Sequence, residues 1–120
     1  MLPRAHRLSR SAEFAHVVRR GSRAGSSSVV LHEWVRDDEG PVRVGFVVSR
    51  GVGNAVRRNQ VKRRLRHLMG DRLGELTAHS SVVVRASPVA ATTGFSDLGS
   101  DLDSCLVIVA HRHQAMRARR

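Results

Sequence analysis

The sequence predicts a small α+β fold, a two-layer sandwich of one sheet with helices mostly on one face. Three observations predict it. Apolar residues recur at helical spacing around Phe14, Val61 and Leu102. Valine-rich runs of strand length occupy residues 28–36, 42–49 and 81–86. A glycine turn joins the second of these runs to a helix crowded with cations. The order is therefore helix, two or three strands, helix, strand, helix. Residues 1–114 form a single domain, and residues 115–120 a basic tail expected to fray.

Each element has a local reason. Residues 1–8 hold an early proline and read as an extended arm, packed through Leu2 and Leu8. The first helix spans residues 9–20. Ser9 or Ser11 can cap it, Glu13 suits the dipole of its first turn, and Phe14, Val17 and Val18 form its apolar stripe. Gly21 suits a left-handed stop, and residues 25–28 a loop. In the strand at 28–36, Val30, His32 and Trp34 share one face; Val29, Leu31, Glu33 and Val35 share the other. An acidic turn at 37–41 then leads to a second hairpin arm at 42–49, expected to be central.

The next helix starts near Asn54 and ends at Gly70 or runs on to Leu76. The strand at 81–86 follows it, so the strands before and after this helix should be parallel neighbours. Phe95, Leu98, Leu102, Cys105, Leu106 and Val109 repeat at helical spacing, which predicts a last amphipathic helix over residues 96–110.

Charge singles out the stretch from Phe46 to Met69. From Arg50 to Arg66 there are seven Arg or Lys residues, with no Asp or Glu between Glu39 and Asp71. On a helix, Val61, Leu65 and Leu68 fall broadly on one side. Asn59, Lys62, Arg63 and Arg66 fall opposite, at i, i+3, i+4 and i+7. A merely solvated face mixes both signs; this one repels itself and calls for a polyanion. The net charge of +11 points the same way. Twenty of the 21 cations are Arg, the exception being Lys62.

Composition also excludes. One cysteine, Cys105, rules out an internal disulfide and a cysteine-based zinc site. The seven histidines are scattered, and only His111 and His113 are close, on different helix faces. No apolar run suggests a signal peptide or a membrane span, so a cytoplasmic protein without membrane partners is expected. Gly51-Val52-Gly53-Asn54-Ala55-Val56 approaches the dinucleotide fingerprint. Val56 replaces its third glycine, and the next strand ends in Arg85 without an acid for a ribose, so no small-molecule cofactor is expected. A glycine turn feeding a helix N-terminus is still a phosphate seat, with Arg50, Arg57 and Arg58 beside it.

Two motifs carry a resemblance. Arg43-Val44-Gly45-Phe46-Val47-Val48-Ser49-Arg50 leads into Gly53-Asn54-Ala55-Val56 and then Arg58-Asn59-Gln60-Val61-Lys62-Arg63-Arg64-Leu65-Arg66. The last segment matches an Arg-Asn-x-x-Lys-Arg-x-x-Arg helix completely. Together with Met1-Leu2-Pro3-Arg4, Arg7-Leu8 and residues 11–14, this resembles the protein subunit of bacterial ribonuclease P over nearly the whole chain, least so from Thr77 onward.

The resemblance implies the order α-β-β-β-α-β-α, with a left-handed βαβ crossover in place of the usual right-handed one. It implies a catalytic RNA partner that uses Mg²⁺, held mainly by that RNA, to cut the 5′ leader from precursor tRNA. The basic helix and its preceding loop would dock on the RNA through Arg50, Arg57, Arg58, Asn59, Lys62, Arg63 and Arg66. A cleft between the first helix and the sheet would hold the single-stranded leader, with Phe14, Val18, His32 and Trp34 as its candidate residues. Three positions depart from the family pattern. Gly51 replaces the second of two adjacent cations, and Val18 and His32 stand where aromatics are frequent. Phe14 is the clear remaining stacking residue.

Two other classes compete. A structural RNA binder of ribosomal type would share the basic helix and need no leader cleft. A nuclease acting alone needs clustered carboxylates or a histidine pair. The acids gather at residues 37–39 and 97–103, away from the basic motif, so no catalytic side chain is expected in the protein.

Overall fold

A computed structural model describes the backbone of residues 2–118 and the side chains of residues 2–113. Its elements are α1 (Ser11–Arg20), β1 (Ser22–Gly25), β2 (Val29–Val35), β3 (Arg43–Val48), α2 (Ala55–Gly70), β4 (Ser80–Ala86) and α3 (Phe95–Ala118). This is the expected α-β-β-β-α-β-α order. β1, which the residue patterns left inside a helix-to-loop transition, is present as the resemblance implied.

The four strands lie in the order β1-β2-β4-β3. β2 pairs antiparallel with β1 and β4, while β3 pairs parallel with β4. The parallel neighbours joined through a helix are as expected. The hairpin between β2 and β3 is not: β4 lies between them and is the central strand. Six of its seven residues are buried, as befits a strand paired on both edges and covered on both faces. The link from β2 to β3 must therefore pass the end of β4, and polar contacts fix it there. Arg36 donates to the Ser81 hydroxyl at 2.8 Å and to the Pro41 carbonyl at 2.6 Å. The His79 ring lies 2.9 Å from the Gly40 carbonyl. Along the outer edge of β3, the N-terminal arm supplies a parallel bridge between Arg7 and Val44, which shields that edge.

Alternation along the strands splits the core in two. One side of the sheet gives Leu31, Val44, Val82 and Val84 to the larger cluster, where Val61 and Leu65 of α2 and Leu98 and Leu102 of α3 meet them. Leu2 joins this cluster and Leu8 the other, so the arm packs through both leucines, as expected. α1 lies on the opposite side, where Val17 and Val83 are buried with Phe14, Val18 and Trp34 around them. Truncating a buried leucine such as Leu65 to alanine costs about 2–5 kcal/mol.

Several boundaries differ from expectation for local reasons. α1 begins at Ser11 after Arg10, and no side chain caps it. Gly21 is extended (φ −74°) and not left-handed. Glycine is needed there because a Cβ would sit 2.6 Å from the Val17 carbonyl oxygen and 2.7 Å from that of Glu33. α2 stops at Gly70, the nearer of its two expected ends, and a 3₁₀ turn (Leu73–Glu75) follows. α3 continues to Ala118, so its backbone stays helical into the stretch expected to fray; residues 119 and 120 lie outside the described residues.

Candidate nucleic-acid interface

β3 runs into a 3₁₀ turn (Arg50–Val52), then Gly53, then α2. Gly53 has φ 150°, a value that side chains disfavour, so the turn depends on glycine. Asn54 caps α2: its side-chain oxygen accepts from the Arg57 N–H at 2.9 Å. The phosphate seat expected at this N-terminus is thus partly filled by the chain's own amide.

Val61, Leu65, Leu68 and Met69 are the buried residues of α2. Asn59, Arg63 and Arg66 are exposed and Lys62 is half-buried, so the opposed faces follow the sequence reading. None of Arg50, Arg57, Arg58, Lys62, Arg63 or Arg66 makes an ion pair among the described residues, where the pairs formed are those of Arg36, Arg43, His67 and Arg72. Arg57 is held by Gln60 and by the Ala91 carbonyl. Arg58, Asn59 and Lys62 line a depression of about 160 Å³ beside Val48, and the buried Arg58 Nε has no acceptor. A buried guanidinium N–H without a partner is uncommon, and such an ionised donor bonds strongly to anions.

Lys62 and Arg66 also line a cavity of about 220 Å³ that contains Phe14, Gly45, Leu8 and Arg7. The cationic face of α2 and the first turns of α1 are therefore one surface, which sequence spacing alone did not join. The Phe14 ring rests on Gly45: a Cβ there would lie 2.2 Å from its Cζ.

The four residues expected in the cleft are divided. Phe14 faces the α2 cations, and Val18 packs one turn further along α1. Trp34 turns to His16, edge to face with centroids 4.8 Å apart, in a separate cavity. His32 is 3% exposed and pairs across the sheet with Arg23 and Val83, and neither ring nitrogen has a partner. Burial, reinforced by Arg85 and then Arg23, holds its imidazole below the ordinary histidine range. The neutral ring is a donor and an acceptor, both unspent.

Among the described residues, no group of three or more His, Cys, Asp or Glu side chains comes together to hold a metal ion. No helix among them is long and apolar enough to cross a membrane.

A one-sign helix face is joined to an aromatic groove. The family model for ribonuclease P matches residues 2–110. The chain belongs to the ribonuclease P protein family. It is 50% identical over 111 residues to a ribonuclease P protein component from a Nocardioides species, covering 91% of this chain and 95% of that one. A ribonuclease P protein component from Streptomyces bikiniensis is 49% identical over 114 residues, covering 88% and 93%. The ribonuclease P protein of Staphylococcus aureus superposes with a TM-score of 0.79 at 25% identity, over 88% of this chain and 95% of that one. The fold is also that of the Thermotoga maritima ribonuclease P protein, with a TM-score of 0.72 at 22% identity over 86% and 94%.

Gly45 and Arg7 line this aromatic groove; the sequence reading quoted both for the resemblance without placing them in the cleft. A signal for Gly45 was present, since a glycine inside a strand marks a close approach. Arg7 carried no spacing signal for this place, which depends on the arm bridging to Val44.

Proposed function

We propose that the chain is the RNA-binding protein subunit of ribonuclease P and assists a catalytic RNA in removing the 5′ leader from precursor tRNA. The observation that carries this reading is the unpaired cationic face of α2, Asn59-Lys62-Arg63-Arg66, continuous with the Phe14 groove. A polyanion supplies the missing counter-charge, and its contacts release bound cations. Arg50, Arg57 and Arg58 extend the docking surface around the α2 N-terminus. The leader lies along Phe14 and Val18, where a base stacks on the Phe14 ring; His32, 3% exposed, offers it no contact.

No side chain of the protein activates water. The reaction's Mg²⁺ is held mainly by the RNA, as the family resemblance implies. The protein acts in the cytoplasm, where precursor tRNA is processed. Affinity purification from its own cell, followed by sequencing of the bound RNA, tests the reading. Enrichment of one large structured RNA together with leader-bearing tRNA is expected. Recovery of ribosomal RNA alone would favour the structural RNA binder instead.

A further inference from the structure

The last helix carries apolar surface that the core does not use. Leu106, Val107, Ile108 and Val109 are consecutive. At about 100° per residue, four in a row reach around most of a helix. Leu106 and Val109 are buried, whereas Val107 is 65% and Ile108 37% exposed. Valine and isoleucine are also weaker helix formers than the lysine or glutamate usual on a solvent face. With His111 and Arg112, the exposed pair lines a hollow of about 410 Å³.

The flanks of this pair carry opposite signs. Asp103 and Ser104 stand exposed one turn before it, His111 and Arg112 one turn after it. Asp103 pairs with Arg72 at 2.7 Å, yet its side chain remains 51% exposed. Arg112 donates one N–H to the Arg23 carbonyl of β1, which ties this end of α3 to the sheet edge. The helix dipole accounts for the order of the charges but not for the apolar pair between them.

The same order is complementary to itself. Two copies of α3 set antiparallel about a two-fold axis bring Val107 of one against Ile108 of the other. Ser104 then meets His111, and Asp103 meets Arg112. An acidic partner would be drawn instead to the unpaired cations of α2, and a polyanion would be repelled by Asp103. α2 lies over β3, and α3 over β1 and β2, towards opposite edges of the sheet. Pairing through α3 therefore leaves the α2 face and the Phe14 groove open.

We propose that the outer face of α3 around Val107 and Ile108 is a two-fold interface whose occupant is a second copy of this chain. The proposal does not depend on the reading of the chain as an RNA binder. A single helix pair is at the small end of interface sizes, so the dimer is weak. The charge of +11 on each copy opposes it, and salt screens that repulsion.

Sedimentation velocity of the full chain, freed of nucleic acid, tests this over a concentration series at low and high salt. A shift from monomer towards dimer with concentration is expected, larger at high salt. Val107→Glu would bring two carboxylates together beside the axis and should weaken the dimer by at least about tenfold. Circular dichroism checks its fold, and its binding to the catalytic RNA should be unchanged. Disulfide trapping tests the order of the helices. Ser104→Cys and His111→Cys chains are mixed in air; the native Cys105 is buried and does not compete. Cross-linking of one variant to the other is expected, with little from Ser104→Cys alone.

A monomer at every concentration and salt, or a dimer that Val107→Glu leaves intact, would overturn the interface. Cross-linking of Ser104→Cys chiefly to itself would overturn the antiparallel order. A dimer that dissociates as salt rises would overturn the proposal in favour of pairing through opposite charges or residual nucleic acid. Each of these results leaves RNA binding by the monomer to be judged separately.

Discussion

The Phe14 ring occupies the space that a side chain at Gly45 would fill. A Cβ at position 45 would stand 2.2 Å from Cζ and 2.5 Å from Cε1 of the ring, and 3.1 Å from the Leu8 Cβ. The ring is thus seated by an absence in β3, and its open side faces the groove shared with Lys62 and Arg66. Gly45→Ala should displace Phe14 and destabilise the fold by about 1–3 kcal/mol, the usual cost of overpacking. Thermal unfolding measures the stability change, and binding of leader-bearing tRNA measures the displaced ring. A variant that keeps both would mean the ring moves without consequence.

Phe14→Ala removes the stacking surface and leaves the glycine seat intact. Stacking one base on an aromatic contributes about 1–3 kcal/mol. Binding of leader-bearing tRNA should fall by about ten- to a hundredfold, with mature tRNA nearly unaffected. Val18 lies one turn further along the same face, so Val18→Phe should strengthen leader binding if the larger ring is accommodated. Both affinities are measured in complex with the catalytic RNA. Equal losses for the two tRNAs would make Phe14 a packing residue alone.

On α2, Arg66→Ala should flatten the slope of log K against log salt by roughly 0.7 to 1, the loss of one phosphate contact. An unchanged slope in a folded variant would take this face out of the interface.

His32 and Glu33 are adjacent on β2 and point to opposite faces, and burial moves their protonation in opposite directions. Burial, then Arg85 and Arg23, lowers the His32 value, so the native state resists protonation there. Its contribution is complete above the unfolded value of 6.5 and is lost as pH falls below it. Burial raises the Glu33 value above 4.5, despite opposing hydrogen bonds from Thr77 and the nearby His113. The native state then holds a proton that the unfolded chain gives up, so stability falls as pH rises through that window. His32→Phe should therefore lessen the drop in Tm on acidification from about pH 7 to about pH 5. Glu33→Gln should raise Tm near neutrality and lose that advantage below the unfolded carboxylate value. Variants whose pH profiles run parallel to the wild type would contradict both assignments.

Much of this was legible because local pattern and charge agree. The faces of α2 follow from spacing alone, and the alternation of β2 placed Val30, His32 and Trp34 together as read. What local pattern does not carry is which strands meet. β2 and β3 are close in sequence, joined by a turn-like segment, and read as a hairpin. The decision lies in β4, whose apolar run on both faces fits only the middle of the sheet. The candidate cleft was harder for the same reason. Trp34 shares a strand face with His32, yet α1 crosses that face and His16 takes the indole. Likewise Phe14 and Lys62 lie far apart in sequence and meet only because α1 packs over Gly45 at the sheet edge.

Cleavage of precursor tRNA by the separated and recombined components tests the central claim most directly. Protein alone, catalytic RNA alone and the two together are compared at moderate salt and limiting Mg²⁺. The account predicts no cutting by protein alone and faster removal of the 5′ leader when protein is added to RNA. Robust cleavage by RNA-free protein, or no gain from adding it to the RNA, would contradict the account.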